Sequence, residues 1–426
     1  MSEARPIYKL TQAQLDQLVK RHEMFRNARM GGARAVLSNF DLTGLDLSGR
    51  DLAHADLTGA ILRRANLAGA NLDCTSLFAA DLRETDMTGA SLVKADLRGA
   101  CLRGADLSGA NLVNADLRDG SLAERGADGS LKIVVVDQDS PTDMQGARLA
   151  NANLSQAKLS GAVAMHTDFT DAVMRGTKLV RANLRNATLD GAILEGADLS
   201  GADIRGASLK GAVLTQTQMV MTELGGANLE GALTDKPAGR PLADLPQSLE
   251  EMVRQHALWV GSAGQQGRAL DLSGFDLRGT GALSHACLTR LLAKGAVLYG
   301  VDLSSAQIQA GQMQDADLRG ANLSASDLRG LNLTGANLNN ANLAGANLAY
   351  LQISESRVVR AELAGARLRY ADLTGVRLVR ANLAGADLSF ANLMRAELKG
   401  ADLTGARLSG ARMRREQLEG VIGVKY

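Results

Sequence analysis

The sequence predicts an all-β solenoid, a chain of short strands and tight corners coiled and stacked on itself. Three observations predict it. From Leu37 to Leu122 a large apolar residue, Leu except at Met87, recurs at every fifth position without a miss. Two residues before most of these centres stands Ala (Ala55, Ala60, Ala65, Ala70), with Phe40, Leu45, Arg50, Thr75, Thr85 and Gly120 as exceptions. Asp or Asn commonly lies between, as in Ala105-Asp106-Leu107-Ser108-Gly109. All five prolines (Pro6, Pro141, Pro237, Pro241 and Pro246) fall outside the repeats, as expected if the repeating backbone donates hydrogen bonds that proline lacks.

A period of five fits neither straight element. In an extended chain residues i and i−2 share a face, so each Leu and its preceding Ala point one way while the next Leu points the other. A helix of 3.6 residues per turn would spread a five-residue period around its axis. Every centre is interior only if the chain turns a corner once per pentapeptide and restarts the alternation.

These residues resemble the pentapeptide-repeat family, whose consensus Ala-(Asp/Asn)-Leu-x-x is matched by Ala336-Asn337-Leu338-Asn339-Asn340 and Ala386-Asp387-Leu388-Ser389-Phe390. The resemblance covers most of the chain. It implies a right-handed, quadrilateral β-helix with one pentapeptide per side and about 20 residues per coil. On that geometry residues one coil apart stack at ~4.8 Å, and Leu338 and Val358 are vertical neighbours. It implies little about activity, because function lives in surfaces grafted onto a fold.

In chain order, residues 1–35 are expected to form an N-terminal capping helix. Thr11 and Gln14 make a capping box, Leu15, Leu18, Val19, His22 and Phe25 share one face, and Gly31-Gly32 ends the stretch. Such a helix would cover the open strand edge of a β-helix, with Phe40 and Leu45 packed beneath it. Residues 36–232 read as a first β-helix with an inserted loop at 123–143. That loop holds Asp128-Gly129, the strand-like Lys132-Ile133-Val134-Val135-Val136 and Ser140-Pro141, and reads as an extruded hairpin. A second tract runs in a new register from Met144 to Leu229, with Ala164 and Phe169 at centres.

Residues 233–269 read as a linker and a second capping helix. Leu249, Met252, Val253, His256, Trp259 and Ala269 match Leu15, Leu18, Val19, His22, Phe25 and Ala35 at a constant offset of 234. After one inserted residue, Phe275-Asp276-Leu277 matches Phe40-Asp41-Leu42. Residues 270–426 form the second β-helix, irregular over Thr280–Gly300 and then in one register from Leu298 to Leu418. The chain thus reads as two capped modules of about nine and about seven coils, ~43 and ~34 Å long.

Composition bounds the function. Of 426 residues 46% are apolar but only 3% aromatic, which suits a narrow Leu and Ala core, and 47 Lys and Arg nearly cancel 46 Asp and Glu. No global charge argues for nucleic acid or an anionic membrane. Cys74, Cys101 and Cys287 sit at outward positions without metal or disulfide spacing, which fits a reducing cytosol. The stretch Met1-Ser2-Glu3-Ala4-Arg5-Pro6 has no apolar run behind it and no segment approaches membrane-spanning length, so a cytoplasmic location is expected.

Candidate chemistry is sparse. His22 and His256 recur at equivalent places and read as histidines bonding the top coil rather than as ligands. His54, His166 and His285 have no partner at ligand spacing. No phosphate loop, Ser-His-Asp or Cys-His set is visible, so no catalytic residue, cofactor or metal is expected. Surface columns carry more. Arg63, Arg83 and Arg103 run beside Asn66, Asp86 and Asp106, a cross-paired ladder. From Arg357 to Tyr426, 13 Arg and Lys face 7 Asp and Glu. Arg357, Arg360, Arg377, Arg380, Arg395 and Arg415 are the candidate partner-binding residues, stacked as Arg357 with Arg377, Arg360 with Arg380 and Arg395 with Arg415. The alternative is solvated Arg paired with Glu362, Asp372 and Glu397.

The function expected is a non-enzymatic cytoplasmic scaffold or protein-interaction module presenting flat faces to an unidentified, acidic partner. The resemblance implies an alternative, since some family members mimic DNA, bind type II topoisomerases and confer resistance to gyrase inhibitors. That requires a strongly acidic rod, whereas basic and acidic residues number 9 and 12 in 34–122, 8 and 8 in 144–232, and 18 and 14 in 270–426. A third reading is a secreted bacterial effector, for which no catalytic or lipid-anchor segment is visible. DNA is not an expected partner, because a flat rod offers no helix or ribbon for the major groove. Finally, Val421-Ile422-Gly423-Val424 either folds over the open end or joins a second copy as a homodimer.

Overall fold

Each pentapeptide carries five backbone N–H groups that need acceptors. The computed structural model, which describes residues 8–125, 131–135 and 141–424, shows where they go. Around the centre Leu52, the Leu52 N–H donates to the Asn71 carbonyl one coil on at 2.8 Å, and the Asn71 N–H returns to the Arg50 carbonyl at 2.9 Å. The His54 N–H reaches the Asp73 carbonyl at 2.9 Å, and the Ala55 N–H closes a turn onto the Leu52 carbonyl at 2.9 Å. The fifth, from Ala53, donates to the Asp51 side chain at 3.1 Å. The same side-chain turn recurs at Asp56 and Thr58 and at Asn153 and Ser155. The Asp or Asn before each centre is therefore a turn former, satisfying an N–H that neither neighbouring coil can reach.

The last residue of the pentapeptide sits at the second corner position with positive φ, +65° at His54 and +65° at Gly69. That conformation suits Gly, which explains why Gly so often follows each centre by two. Parallel pairings run 20 residues apart, as Asp51 with Asn71 and Asn71 with Ser91. Centre and i−2 residues are buried along most of both tracts, although Leu224 and Leu229, the last two centres of the first unit, are 43% and 38% exposed; a fully buried Leu contributes about 1.5–3 kcal/mol. Where Thr replaces the inner Ala, its hydroxyl finds a carbonyl: Thr75 to Leu52 and Thr177 to Leu154, both 2.8 Å.

The chain divides into two compact units, Met1–Lys236 and Pro237–Tyr426. In the first, strand β1 (Tyr8–Lys9) precedes helix α1 (Gln12–Arg26) and pairs in parallel with β2 (Phe40–Asp41) in the first coil. The Thr11–Gln14 capping box forms. Leu15, Val19 and His22 are buried, and Leu18, Phe40 and Leu45 pack on the same core. Phe25, expected on the buried face, is 48% exposed and stacks on the His22 ring instead, because it falls in the final turn of α1.

Further on, Asp116 pairs with Lys158 and Cys101 with Asp143, so the chain between leaves the coil. Strand β3 (Ser121–Arg125) pairs antiparallel with β4 (Leu131–Val135). Leu122, expected as a centre, belongs to this hairpin, and the tract ends at Leu117. Asp128-Gly129, Val136 and Ser140 lie outside the described residues.

In the second unit Arg240 pairs in parallel with Phe275, its guanidinium 4.1 Å from the ring centre, and helix α2 (Leu249–Gly261) starts at Ser248. The first coil is one residue longer, since Asp271 pairs with Leu292 and Asp276 with Val297. The regular spacing then holds until Asn347, after which β5 (Leu351–Gln352) and β6 (Val358–Val359) form an antiparallel hairpin. Asn332 pairs with Glu362 and Asn347 with Arg377, ten residues beyond the usual spacing. Ile353 and Val358, expected as centres, are 51% and 46% exposed. The Leu338 N–H meets the Arg367 carbonyl, so its neighbour is the Leu368 repeat and not Val358. Ile353 follows Leu351-Gln352 and Val358 follows Ser356-Arg357, and the extruded hairpin carries both out of the stack.

At the C-terminal end Ile422 pairs with Asp402, and Val421 and Val424 pack on the core of the same unit. The Gln417 amide donates to the Leu393 and Ala396 carbonyls at 2.7 and 2.9 Å, and that of Ala396 is one a further coil would otherwise take, as the Asp86 N–H takes that of Ala65.

Candidate functional site

A stack of uniform coils is flat, so concavity arises where the repeat is interrupted. The β5–β6 hairpin is such an interruption. Its base lies over Gly330, whose φ is +67° and where an added Cβ would stand 3.2 Å from Leu351 Cβ and from Val359 Cγ1, so Gly suits both the backbone and the close contact. The hairpin walls an open groove of about 800 Å³, lined by Tyr350, Arg357, Val358, Arg360, Arg380 and Ile422 among others.

The six candidate arginines separate. Arg357, Arg360 and Arg380 come together in this groove. Arg395 and Arg415 line a second depression of about 720 Å³ beside Arg414 and Glu416. Arg377 lies in neither lining and pairs with Glu397 at 3.1 Å. Arg357 does not stack with Arg377. It sits in the hairpin turn, bonded through its backbone to Ile353 and Ser354, and the vertical neighbour of Arg377 is Asn347.

Charge is handled differently at the two ends of the chain. In the first unit many cations pair across coils or along a strand, as Arg63 with Asp81 at 2.6 Å, Arg103 with Asp143 at 2.5 Å and Arg175 with Glu195 at 3.0 Å, while Arg181 forms no ion pair among the described residues. The acidic partners are those on the same side of the coil; Asn66, Asp86 and Asp106, expected opposite Arg63, Arg83 and Arg103, lie round the corner, and Arg83 takes Asp81 while Arg148 takes Asp106. In the groove only Arg360 has such a partner, Glu362 at 2.7 Å. The Arg380 guanidinium lies 5.1 Å from the Tyr350 ring centre, a cation–π contact that holds it over the groove. Among the described residues Arg357, Arg380, Arg395 and Arg415 form no ion pair. The Asp402 carboxyl is held below its ordinary range by the Thr404 hydroxyl and N–H, with the Arg360 charge adding to the effect.

Tyr350 and Arg414 were not singled out by sequence, and Val358 and Ile422 only as a repeat centre and as part of the C-terminal apolar tail. Leu351-Gln352 and Ser356-Arg357 depart from the Ala-Asp or Ala-Asn consensus, but so does Val376-Arg377 before the buried Leu378, so the departure by itself does not mark the hairpin.

The two buried histidines form matching sites. The Ala35 N–H donates to His22 Nδ1 at 3.1 Å, and His22 Nε2 meets the Ala53 carbonyl at 3.0 Å. The Leu270 N–H donates to His256 Nδ1 at 3.0 Å, and His256 Nε2 meets the Thr289 carbonyl at 3.1 Å. The equivalent of Ala35 is thus Leu270 and not Ala269: the inserted residue falls before the first coil. His54, His166 and His285 occupy exposed corners with positive φ. Among the described residues no group of three or more His, Cys, Asp or Glu is placed to hold a metal ion, and no helix is long and apolar enough to cross a membrane.

Comparison with known proteins now bears on the chain. The family model "Pentapeptide repeats (8 copies)" matches residues 33–119 and 142–231 in overlapping segments, and 312–349 and 361–415 in the second unit. Among solved structures the chain is similar to HetL, a pentapeptide repeat protein involved in heterocyst differentiation regulation from the cyanobacterium Nostoc sp. strain PCC 7120. The match has 24% identity, 95% of this chain and 98% of that one covered, and a TM-score of 0.22. It is also similar to Rfr23 from the cyanobacterium Cyanothece 51142, at 31% identity over 33% of this chain and 88% of that one, TM-score 0.22. A trypsin-treated form of QnrB1, a plasmid-mediated fluoroquinolone resistance protein, matches at 20% identity over 48% of this chain and 84% of that one, TM-score 0.22. No curated protein matches the chain significantly. With more than half of its residues matched by the family model, the chain belongs to the pentapeptide-repeat family, and its fold is the right-handed β-helix solenoid of that family.

Proposed function

We propose that this chain is a non-enzymatic interaction scaffold, cytoplasmic, that holds an acidic protein partner on the arginine-rich surface of its second unit. The observation that carries the reading is the gathering of arginines without ion pairs at concave surface. Arg357, Arg380, Arg395 and Arg415 meet no carboxylate among the described residues, and they border the two depressions. Guanidinium groups without a carboxylate of their own are available to carboxylates of a partner.

The scaffold reading includes finer architecture. Each unit is taken as a four-sided β-helix, one pentapeptide per side, and α1 and α2 as caps over the first coils; the paired histidine sites and the burial of Leu15 and Leu249 support this. The two units are taken as separate modules. The C-terminal end of the second is taken as closed by its own tail, supported by the packing of Val421 and Val424. The DNA-mimic reading is less well supported, because carboxylates that would imitate phosphates, such as Asp81, Asp143 and Asp203, are engaged by arginine.

The test is affinity capture by the full chain and by an Arg380→Glu, Arg395→Glu variant, with mass spectrometry of what is retained. Acidic proteins released by raised salt and lost in the variant are expected. Identical capture profiles would overturn the proposal.

A further inference from the structure

We infer that the groove beside the β5–β6 hairpin takes an extended, acidic peptide segment of the partner carrying at least one aliphatic side chain between its carboxylates. This rests on the interaction reading above and narrows it to one site and one chemistry.

Three independent features converge. The first is construction. Ten residues depart from the uniform ladder, and the hairpin they form creates a concave site of about 800 Å³, within the range of pockets that enclose ligands, ~300–1,000 Å³. The second is exposed apolar surface. Val358, in strand β6, is 46% exposed and Ile422, paired with Asp402, is 56% exposed, and both line the groove. Apolar residues left in water in one cleft favour an occupant that brings apolar groups of its own. The third is charge. Arg357 and Arg380 border the same cleft without an acidic partner among the described residues, and Tyr350 holds Arg380 in place. A guanidinium stacked on an aromatic ring keeps its N–H groups free for a carboxylate.

The combination selects among anions. A nucleic acid backbone presents a phosphate at every step and needs rows of cations. Here Glu362 stands inside the groove and already occupies Arg360 at 2.7 Å, which would repel a continuous polyanion. A peptide with spaced carboxylates and an aliphatic side chain meets Arg357 and Arg380 and fills the space between Val358 and Ile422. In extended form it spans about 3.3 Å per residue, so a few residues occupy the site.

The probe is a fluorescein-labelled octapeptide, Asp-Glu-Leu-Asp-Glu-Leu-Glu-Asp, with octaglutamate, the Lys-for-acid version of the same peptide and a twelve-nucleotide single-stranded DNA as comparisons. Anisotropy is read with the full chain at low and raised salt. The acidic-aliphatic peptide is expected to bind more tightly than octaglutamate, the basic peptide and the DNA. Arg380→Glu and Val358→Asp are each expected to weaken it at least tenfold, and Arg181→Glu in the first unit to leave it unchanged. Arg357→Glu, on the exposed hairpin turn, supplies a further variant should Val358→Asp fail to fold. Binding that survives Arg380→Glu but falls with Arg395→Glu and Arg415→Glu overturns the groove while leaving the acidic-partner reading intact. Preference for the DNA, or for octaglutamate over the mixed peptide, overturns the chemistry assigned. Absence of binding by every acidic peptide overturns the groove and counts against the acidic partner as well.

Discussion

His22 offers a sharp test of how the first coil is held. Its ring is fully buried, with Nδ1 accepting from the Ala35 N–H and Nε2 positioned to donate to the Ala53 carbonyl. Both bonds need the neutral ring with its proton on Nε2; a second proton on Nδ1 would face the Ala35 N–H. Replacing His22 by Ala removes two hydrogen bonds and leaves a buried donor and acceptor unpaired, a loss of about 2–5 kcal/mol from the coil and helix it joins. Acid acts on the same contact. Burial lowers the folded pKa of His22 below its ordinary 6.5, with Arg26 and Arg34 pushing the same way and Asp51 and the Ala53 carbonyl opposing. His256 is lowered by burial against its backbone contacts. A base whose folded pKa is depressed is bound by more protons in the unfolded chain, so its stability contribution is whole above about pH 6.5 and declines as pH falls from there toward the folded value. The slope is at most about 1.4 kcal/mol per pH unit for each histidine. The assay is hydrogen exchange of the α1 amides at pH 7 and pH 5.5, corrected for intrinsic rates. Protection in the native chain is expected to drop with acid, and in His22→Ala to start lower and change little. Equal protection of the two chains at pH 7, or no loss on acidification of the native chain, would refute the reasoning.

Leu102, 1% exposed in the core, is expected on replacement by Asp to lose stability beyond about 4 kcal/mol, since a charge without a partner is placed among Leu side chains; an unchanged melting temperature contradicts the inward assignment. Asp56 accepts the Thr58 N–H at 3.0 Å, so Asp56→Ala is expected to cost about 1 kcal/mol and Asp56→Asn far less, read by chemical denaturation. The same turns depress carboxyl groups such as Asp41 and Asp46 through the hydroxyls and N–H groups of Thr43 and Ser48. Their contribution is present above the ordinary 3.8 and is lost as pH falls through the lower folded values, a second acid transition separate from that of the histidines. Residues 237–426 alone, which retain the Arg240–Phe275 pairing, are expected to be soluble and to melt cooperatively; an aggregated fragment would show that the second unit depends on the first.

The five-residue period alone determined the interior. Leu at each centre, Ala two before it and proline excluded from the repeats leave one arrangement in which most of the large apolar centres escape water, and local steric rules suffice to reach it. The duplicated helix with its histidine was equally legible, because the same residues recur at a nearly constant offset. The roles of the polar positions were not. Asp before Leu looks like a carboxylate column in sequence, and its work as acceptor for the N–H two residues on depends on a corner whose dihedrals only the folded backbone displays. Register breaks were likewise decided in three dimensions. Ile353 and Val358 keep the five-residue spacing because the extrusion is ten residues long, a multiple of the period, so counting alone passes straight through the hairpin. The arginine pattern inherits that shift: Arg357 and Arg377 are twenty apart in sequence, yet the coil between them is not a coil. Which cations meet carboxylates and which face an open groove is a matter of vertical stacking. One extruded hairpin changes every vertical relation across it without altering any local propensity.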